Sequence, residues 1–173
     1  VVAADLAGAE ALYPTRDYAK VFERAKELKV PYTIHAGEAA GPESVKEALE
    51  LHPLRIGHGI RSVEDGELVA RLAKLQIPLE LCPTSNLDTK IYDDIKDYPI
   101  RKLIDAGVRV TVNTDDKAIS NTDIKREFSL LADTFDFTSD EIKQLLLNQA
   151  DAAFADEKTK LALKAKIESE FAS

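Results

Sequence analysis

With 23 Lys and Arg against 31 Asp and Glu, this 173-residue chain carries a formal charge of -8, so its long-range field repels phosphate backbones and anionic lipid. The composition, 45% hydrophobic and 31% charged, is that of one globular domain or part of one, and no apolar run approaches the roughly 20 residues of a membrane helix. Neither nucleic acid nor a membrane is expected as a partner, and the single cysteine, Cys82, excludes an internal disulfide and a Cys-rich zinc module and fits a cytoplasmic location.

Taken in chain order, the first expected element is a strand at Val1 to Ala4, followed by a helix in "RDYAKVFERAKELKV", where Tyr18, Val21, Phe22, Ala25 and Leu28 recur at three- and four-residue steps. A second strand, Tyr32 to His35, leads to a helix begun by "GPES", and a third strand is expected at Arg55 to Gly57. "SVEDGELVARLAKLQ" then repeats the helical pattern with Leu68, Val69, Leu72 and Leu75. Its Ser62 and Asp65 resemble a capping box with a shorter acid. Strand four is placed at Ile77 to Leu81, and "YPIRKLIDAG" forms a helix with Pro99 near its start and Gly107 at its end. After a fifth strand, Val108 to Val112, the pattern turns helical throughout. Thr138 and Glu141 open "TSDEIKQLLLNQADAAF" as a capping box, with Ile142, Leu145, Leu146 and Gln149 on one side. A last helix from about Asp156 to Phe171 rests on Leu161, Leu163, Ala165 and Ile167.

Strands alternating with helices mean βαβ units and a parallel sheet, in either a doubly wound fold or part of a closed barrel. The strand ends read "DLAG" from Asp5, "HAGE" from His35, "GHG" around His58, "CPTSN" from Cys82 and "NTDD" from Asn113. Every end is polar or turn-forming. A doubly wound sheet concentrates its site at the switch point, whereas a barrel rings one mouth with all its strand ends, so five such ends favour an α/β partial TIM barrel.

Taken singly, each residue has a plainer explanation. His35 could be a core histidine, Glu38 a helix cap, and Asp115 and Asp116 an N-cap pair. His52 reads as a helix-end surface residue and Cys82 as buried filler. His58 is harder to dismiss, because Gly57 and Gly59 remove bulk on both sides.

The ordered set "DLAG", "HAGE", "GHG", "CPTSN" and "NTDD" resembles the C-terminal part of adenosine deaminase, in the metal-dependent amidohydrolase superfamily, over essentially the whole chain. "HAGEAAGPESV" is closer in form to the adenosine enzymes than to adenine deaminases, where another acid usually follows the glutamate. The resemblance implies hydrolytic deamination of adenosine to inosine and ammonia, with Zn2+ lowering the pKa of bound water from 15.7 to about 7. It makes His35 and Asp115 metal ligands, His58 the group that orients and deprotonates the water, and Glu38 the acid that protonates purine N1, with a raised pKa. It sets Asp116 against N7 and the Gly8 N–H against N3.

Two departures qualify these expectations. The family's His-x-His pair is missing, leaving two of three protein ligands for zinc, and Lys117 stands where proline is common. With no methionine and Val1 first, the residues are expected to be a segment of a longer chain lacking the first three strands. Alone, it is expected to be inactive, to bind zinc weakly, and to pair with the missing N-terminal segment or with itself. An adenine or modified-adenine nucleotide deaminase and a non-catalytic assembly module are the alternatives.

Overall fold

The structure is a computed structural model that describes residues 1 to 172. The chain divides into two compact units, Val1–Leu81 with Pro99–Arg109, and Cys82–Tyr98 with the chain from Val110 onward.

The first unit repeats a strand followed by a helix: β1 (Ala4–Leu6) and α1 (Ala19–Glu27), β2 (Tyr32–Ala36) and α2 (Pro42–Glu50), β3 (Arg55–His58) and α3 (Gly66–Leu75), then β4 (Leu79–Leu81). All pairings are parallel, as helical crossovers require, with Asp5 opposite Thr33, His35 opposite Gly57, and Ile56 opposite Leu79. α5 (Ile100–Asp105) closes the unit. The Leu79 N–H donates to the Arg109 carbonyl at 3.0 Å, and the strands of this unit lie in chain order, β1 to β4.

Side-chain alternation gives the sheet two unlike faces. Ile34, Ala36, Ile56, Leu79 and Leu81 are wholly buried, and helices supply matching apolar stripes from Val45, Ala48 and Leu49 on α2 and from Leu68 and Leu72 on α3. The opposite face is polar. Register puts Asp5, Thr33, His35, Arg55, Gly57 and Glu80 on it. Thr33 Oγ1 donates to Glu80 Oε2 at 2.7 Å and Arg55 Nε lies 3.2 Å from Glu80 Oε1, so one layer of that face is closed by its own charges.

Several boundaries differ from the sequence-based expectation. β1 starts at Ala4, whose N–H donates to the Pro31 carbonyl, while Val1 and Val2 are exposed. β4 starts after Pro78, which has no N–H for a ladder. Val108 is spent on a helix end, donating to Leu103 while Gly107, at φ 79°, donates to Ile104; this Schellman closure delays β5 to Val110–Val112. The apolar face of α1 is narrower than expected, since Phe22 is buried against Tyr32 at 4.8 Å but Val21 and Leu28 are exposed. Ser62 forms no capping box. It lies in a 3₁₀ turn, and Asp65 is itself the N-cap, accepting from Glu67 and Leu68 N–H.

The second unit holds β5, α4 (Pro83–Asp88), α6 (Ile124–Phe135), α7 (Ser139–Ala152) and α8 (Glu157–Glu170). The Thr138 and Glu141 capping box of α7 is formed, and Gln149 donates from its side chain to the Val112 carbonyl, with Asn148 doing the same to Val110. α6 falls in the stretch expected to be helical throughout, and its N-cap is Asp123 rather than Asp115 or Asp116. Asp156 caps α8 as its position suggested, but of the expected apolar face Leu161, Leu163 and Ala165 are exposed and only Ile167 is half-buried.

Candidate active site

In the first unit the strand ends gather titratable groups. His35 and Asp5 share the polar face of adjacent strands, and His35 Nε2 lies 3.3 Å from Asp5 Oδ2. His58 stands opposite Ala36, so alternation alone would send it to the apolar face. A left-handed φ of 59° breaks that alternation and brings the two imidazoles edge to face, 5.0 Å apart. Strain of this kind is concentrated at functional positions. His58 is 1% exposed, and its Nε2 is 3.4 Å from Glu38 Oε2.

The glycines around His58 have separate tasks. A Cβ on Gly57 would sit 2.7 Å from Cδ2 of the His35 ring, so Gly57 is the floor on which that ring lies. Gly59, at φ 66°, continues the left-handed turn that His58 begins. Gly37, at φ 71°, turns the chain out of β2 toward Glu38, which caps no helix; α2 starts at Pro42 after Gly41. Beside His35 a cavity of about 210 Å³ is walled by Leu6, Gly8, Glu10, Tyr13 and Tyr18. The sequence-derived residues His35, Glu38, His58 and Gly8 therefore gather at one end of this unit's sheet.

In the second unit Asp115 also adopts a left-handed φ, 54°, at the end of β5, and its Oδ2 accepts a 2.8 Å hydrogen bond from Ser85 Oγ. Thus "CPTSN" orients the carboxylate of "NTDD". Glu127 of α6, fully buried, ties "CPTSN" to the turn before that helix, accepting from the Thr84 N–H at 3.1 Å and from Thr122 Oγ1 at 2.5 Å. Asp116 Oδ1 accepts from the Ala118 and Ile119 N–H groups, so the plainer explanation holds in part: it caps a turn, whereas α6 is capped by Asp123. Tyr98 donates to Asn86 Oδ1 at 3.0 Å, and burial holds its phenol well above the ordinary pKa of 10.0. Cys82 is buried, and His52 is exposed at the end of α2.

The sequence model of the adenosine deaminase family matches residues 1–170. The chain belongs to that family. Adenosine deaminase of Haemophilus ducreyi is 47% identical over 171 residues, covering 99% of this chain and 50% of that protein. Adenine deaminase of Rhizobium rhizogenes is 46% identical over 164 residues, covering 94% and 51%. The chain thus spans about half the length of the curated relatives it matches. The crystal structure of adenine deaminase from Arthrobacter aurescens superposes with a TM-score of 0.96 at 31% identity, over 100% of this chain and 53% of that one. An amidohydrolase from Burkholderia ambifaria, with bound Zn, gives 0.88 at 31%, over 97% and 48%. The fold is accordingly five βα units of a TIM barrel followed by helices.

Within this deaminase family frame, three side chains escaped the sequence analysis. Asp5 and Glu10 lie in "DLAGAE", and Ser85 in "CPTSN". The signal for Asp5 was available, as it breaks an apolar strand at the same alternation phase as His35. Nothing local marks Glu10 or Ser85, because their partners are 27 and 30 residues away in sequence. The donor set suits zinc, which takes imidazole nitrogen and carboxylate oxygen. His35 already faces a carboxylate, and Asp115 is held by a hydrogen bond of the kind that orients metal ligands.

Proposed function

We propose that these residues belong to a zinc-dependent deaminase that converts adenosine and water to inosine and ammonia, with His35 and Asp115 among the protein groups that hold the metal. Zinc, when bound, supplies a water acidic enough to react at neutral pH. His58 Nε2 takes the proton of the attacking water as it adds to C6 of the purine. Glu38, as carboxylic acid, gives its proton to N1, where charge develops; the proton held by His58 then passes to the 6-amino group, which leaves as ammonia while the C6 hydroxyl proton returns to Glu38 and the carbonyl of inosine forms. Gly8 donates its N–H to N3, and Asp116 bonds N7. The observation that carries this assignment is the convergence of Glu38, His58 and His35: an acid and an imidazole 3.4 Å apart, beside a second imidazole that opens on a cavity.

The choice of adenosine is supported by "HAGEAAGPESV" and by the Haemophilus relative, while the adenine deaminase relative at 46% identity favours free adenine as the second reading. Ammonia release by the zinc-loaded full-length protein decides between them. We expect kcat/KM for adenosine to exceed that for adenine by about 10⁴-fold, the scale on which a site built to hydrogen-bond a substrate hydroxyl rejects the analogue lacking it. The reverse order would assign the chain to the adenine enzymes, and no turnover of either would leave it a binding module.

A further inference from the structure

We propose that Glu10 is a positioning residue for Glu38. Its carboxylate accepts hydrogen bonds from four consecutive backbone N–H groups: Gly37 at 2.5 Å to one oxygen, and Glu38, Ala39 and Ala40 at 3.1, 2.8 and 3.0 Å to the other. The left-handed turn at Gly37 makes these amides point to one side, forming a concave ring of donors of the kind that binds anions. In this chain the anion is supplied from within, by the loop that follows β1. The loop carrying Glu38 has no regular ladder of its own between β2 and α2, so four charge-assisted bonds hold it where strand and helix do not. Glu38 is thereby fixed at the level of its backbone, and its Oε2 is held 3.4 Å from His58 Nε2.

Glu10 also lines the cavity beside His35. Glu10 thus couples the cavity lining to the acid's loop, and a 1 Å displacement of a reacting group costs on the order of 100-fold in rate. Gln is nearly isosteric but has one neutral oxygen, and its amide NH2 would confront a donor ring; the substitution therefore breaks the clamp without leaving a hole.

The proposal rests on Glu38 being the proton donor. In the full-length protein Glu10→Gln is expected to lower kcat by about 10- to 100-fold with KM within about threefold. The double variant Glu10→Gln with Glu38→Gln should be no slower than Glu38→Gln alone, since a positioning residue has nothing left to position. Turnover of Glu10→Gln within twofold of wild type, or losses that multiply in the double variant, would overturn the proposal. Backbone amide exchange separates the clamp from the chemistry. Gly37 to Ala40 should be protected in the wild type and exchange at least about tenfold faster in Glu10→Gln. Unchanged exchange refutes the clamp, whereas faster exchange combined with full turnover in Glu38→Gln refutes the proton donor instead. If Glu10→Gln does not fold, Glu10→Asp, which keeps the charge but shortens the reach, is put through the same measurements: a kcat about threefold or more below wild type with faster exchange at Gly37 to Ala40 is expected, and wild-type turnover or wild-type exchange would overturn the proposal.

Discussion

Gly57→Ala is the most direct test of how the strand ends are built. The added Cβ would meet three atoms of the His35 ring, Cδ2 at 2.7 Å, Cγ at 2.9 Å and Nε2 at 3.1 Å. To restore an ordinary contact of 3.4 Å the ring must retreat by about 0.7 Å, and its freedom to do so is limited because His58 packs on it edge to face. Overpacking of this size costs about 1–3 kcal/mol in stability. The displacement falls on a proposed metal ligand, so zinc affinity and turnover should both fall, turnover by roughly 10- to 100-fold. Denaturant titration, metal analysis and ammonia release on the full-length protein measure the three effects. Gly66→Ala is the control: nothing lies within 4 Å of its added Cβ at the start of α3, and stability should be unchanged or higher by about 0.4–1 kcal/mol. A Gly57→Ala protein with wild-type stability, zinc content and turnover would refute the claim that His35 is seated on that glycine.

Glu38→Gln should retain zinc and bind substrate within about tenfold of wild type while losing turnover by about 100-fold or more, as expected for a missing general acid; turnover within a few-fold would remove Glu38 from the chemistry. His35→Ala should lose zinc and activity and His52→Ala neither, since His52 is exposed at the end of α2; equal zinc content in both would move the site elsewhere. Ser85→Ala removes the donor to Asp115 Oδ2 and should weaken zinc binding by about 10- to 100-fold, read by competition with a chelator. The helix-capping acids Asp65, Asp123 and Asp156 have pKa values held below the ordinary 3.8, by the Lys46 side chain for Asp65 and chiefly by N–H donors of the first helical turn for the other two. A depressed pKa contributes stability that is present above 3.8 and lost as pH falls below it, so replacing all three with Asn should flatten the acid limb of stability below about pH 4.

The order of strands and helices, the polar strand ends and the capping box at Thr138 are local properties, and the sequence by itself determined them. Apolar spacing, β-branched runs and short-range caps act over a few residues, so they survive translation into structure. The five motifs that pointed to a deaminase are local in the same sense, each being a strand end followed by its turn. What only the tertiary structure decided are relations across separate elements. That His58 is turned back toward His35 depends on a left-handed residue that alternation would not place there. That Ser85 aims Asp115, and that Glu10 gathers four amides beyond β2, depends on parallel crossovers bringing residues 27 to 30 positions apart into bonding distance. The failed expectations have the same origin. Leu161 and Leu163 carry helical spacing without a surface to cover, and Val108 was claimed by a helix end before a strand could use it, because burial and backbone bonding are settled by what the rest of the chain brings alongside.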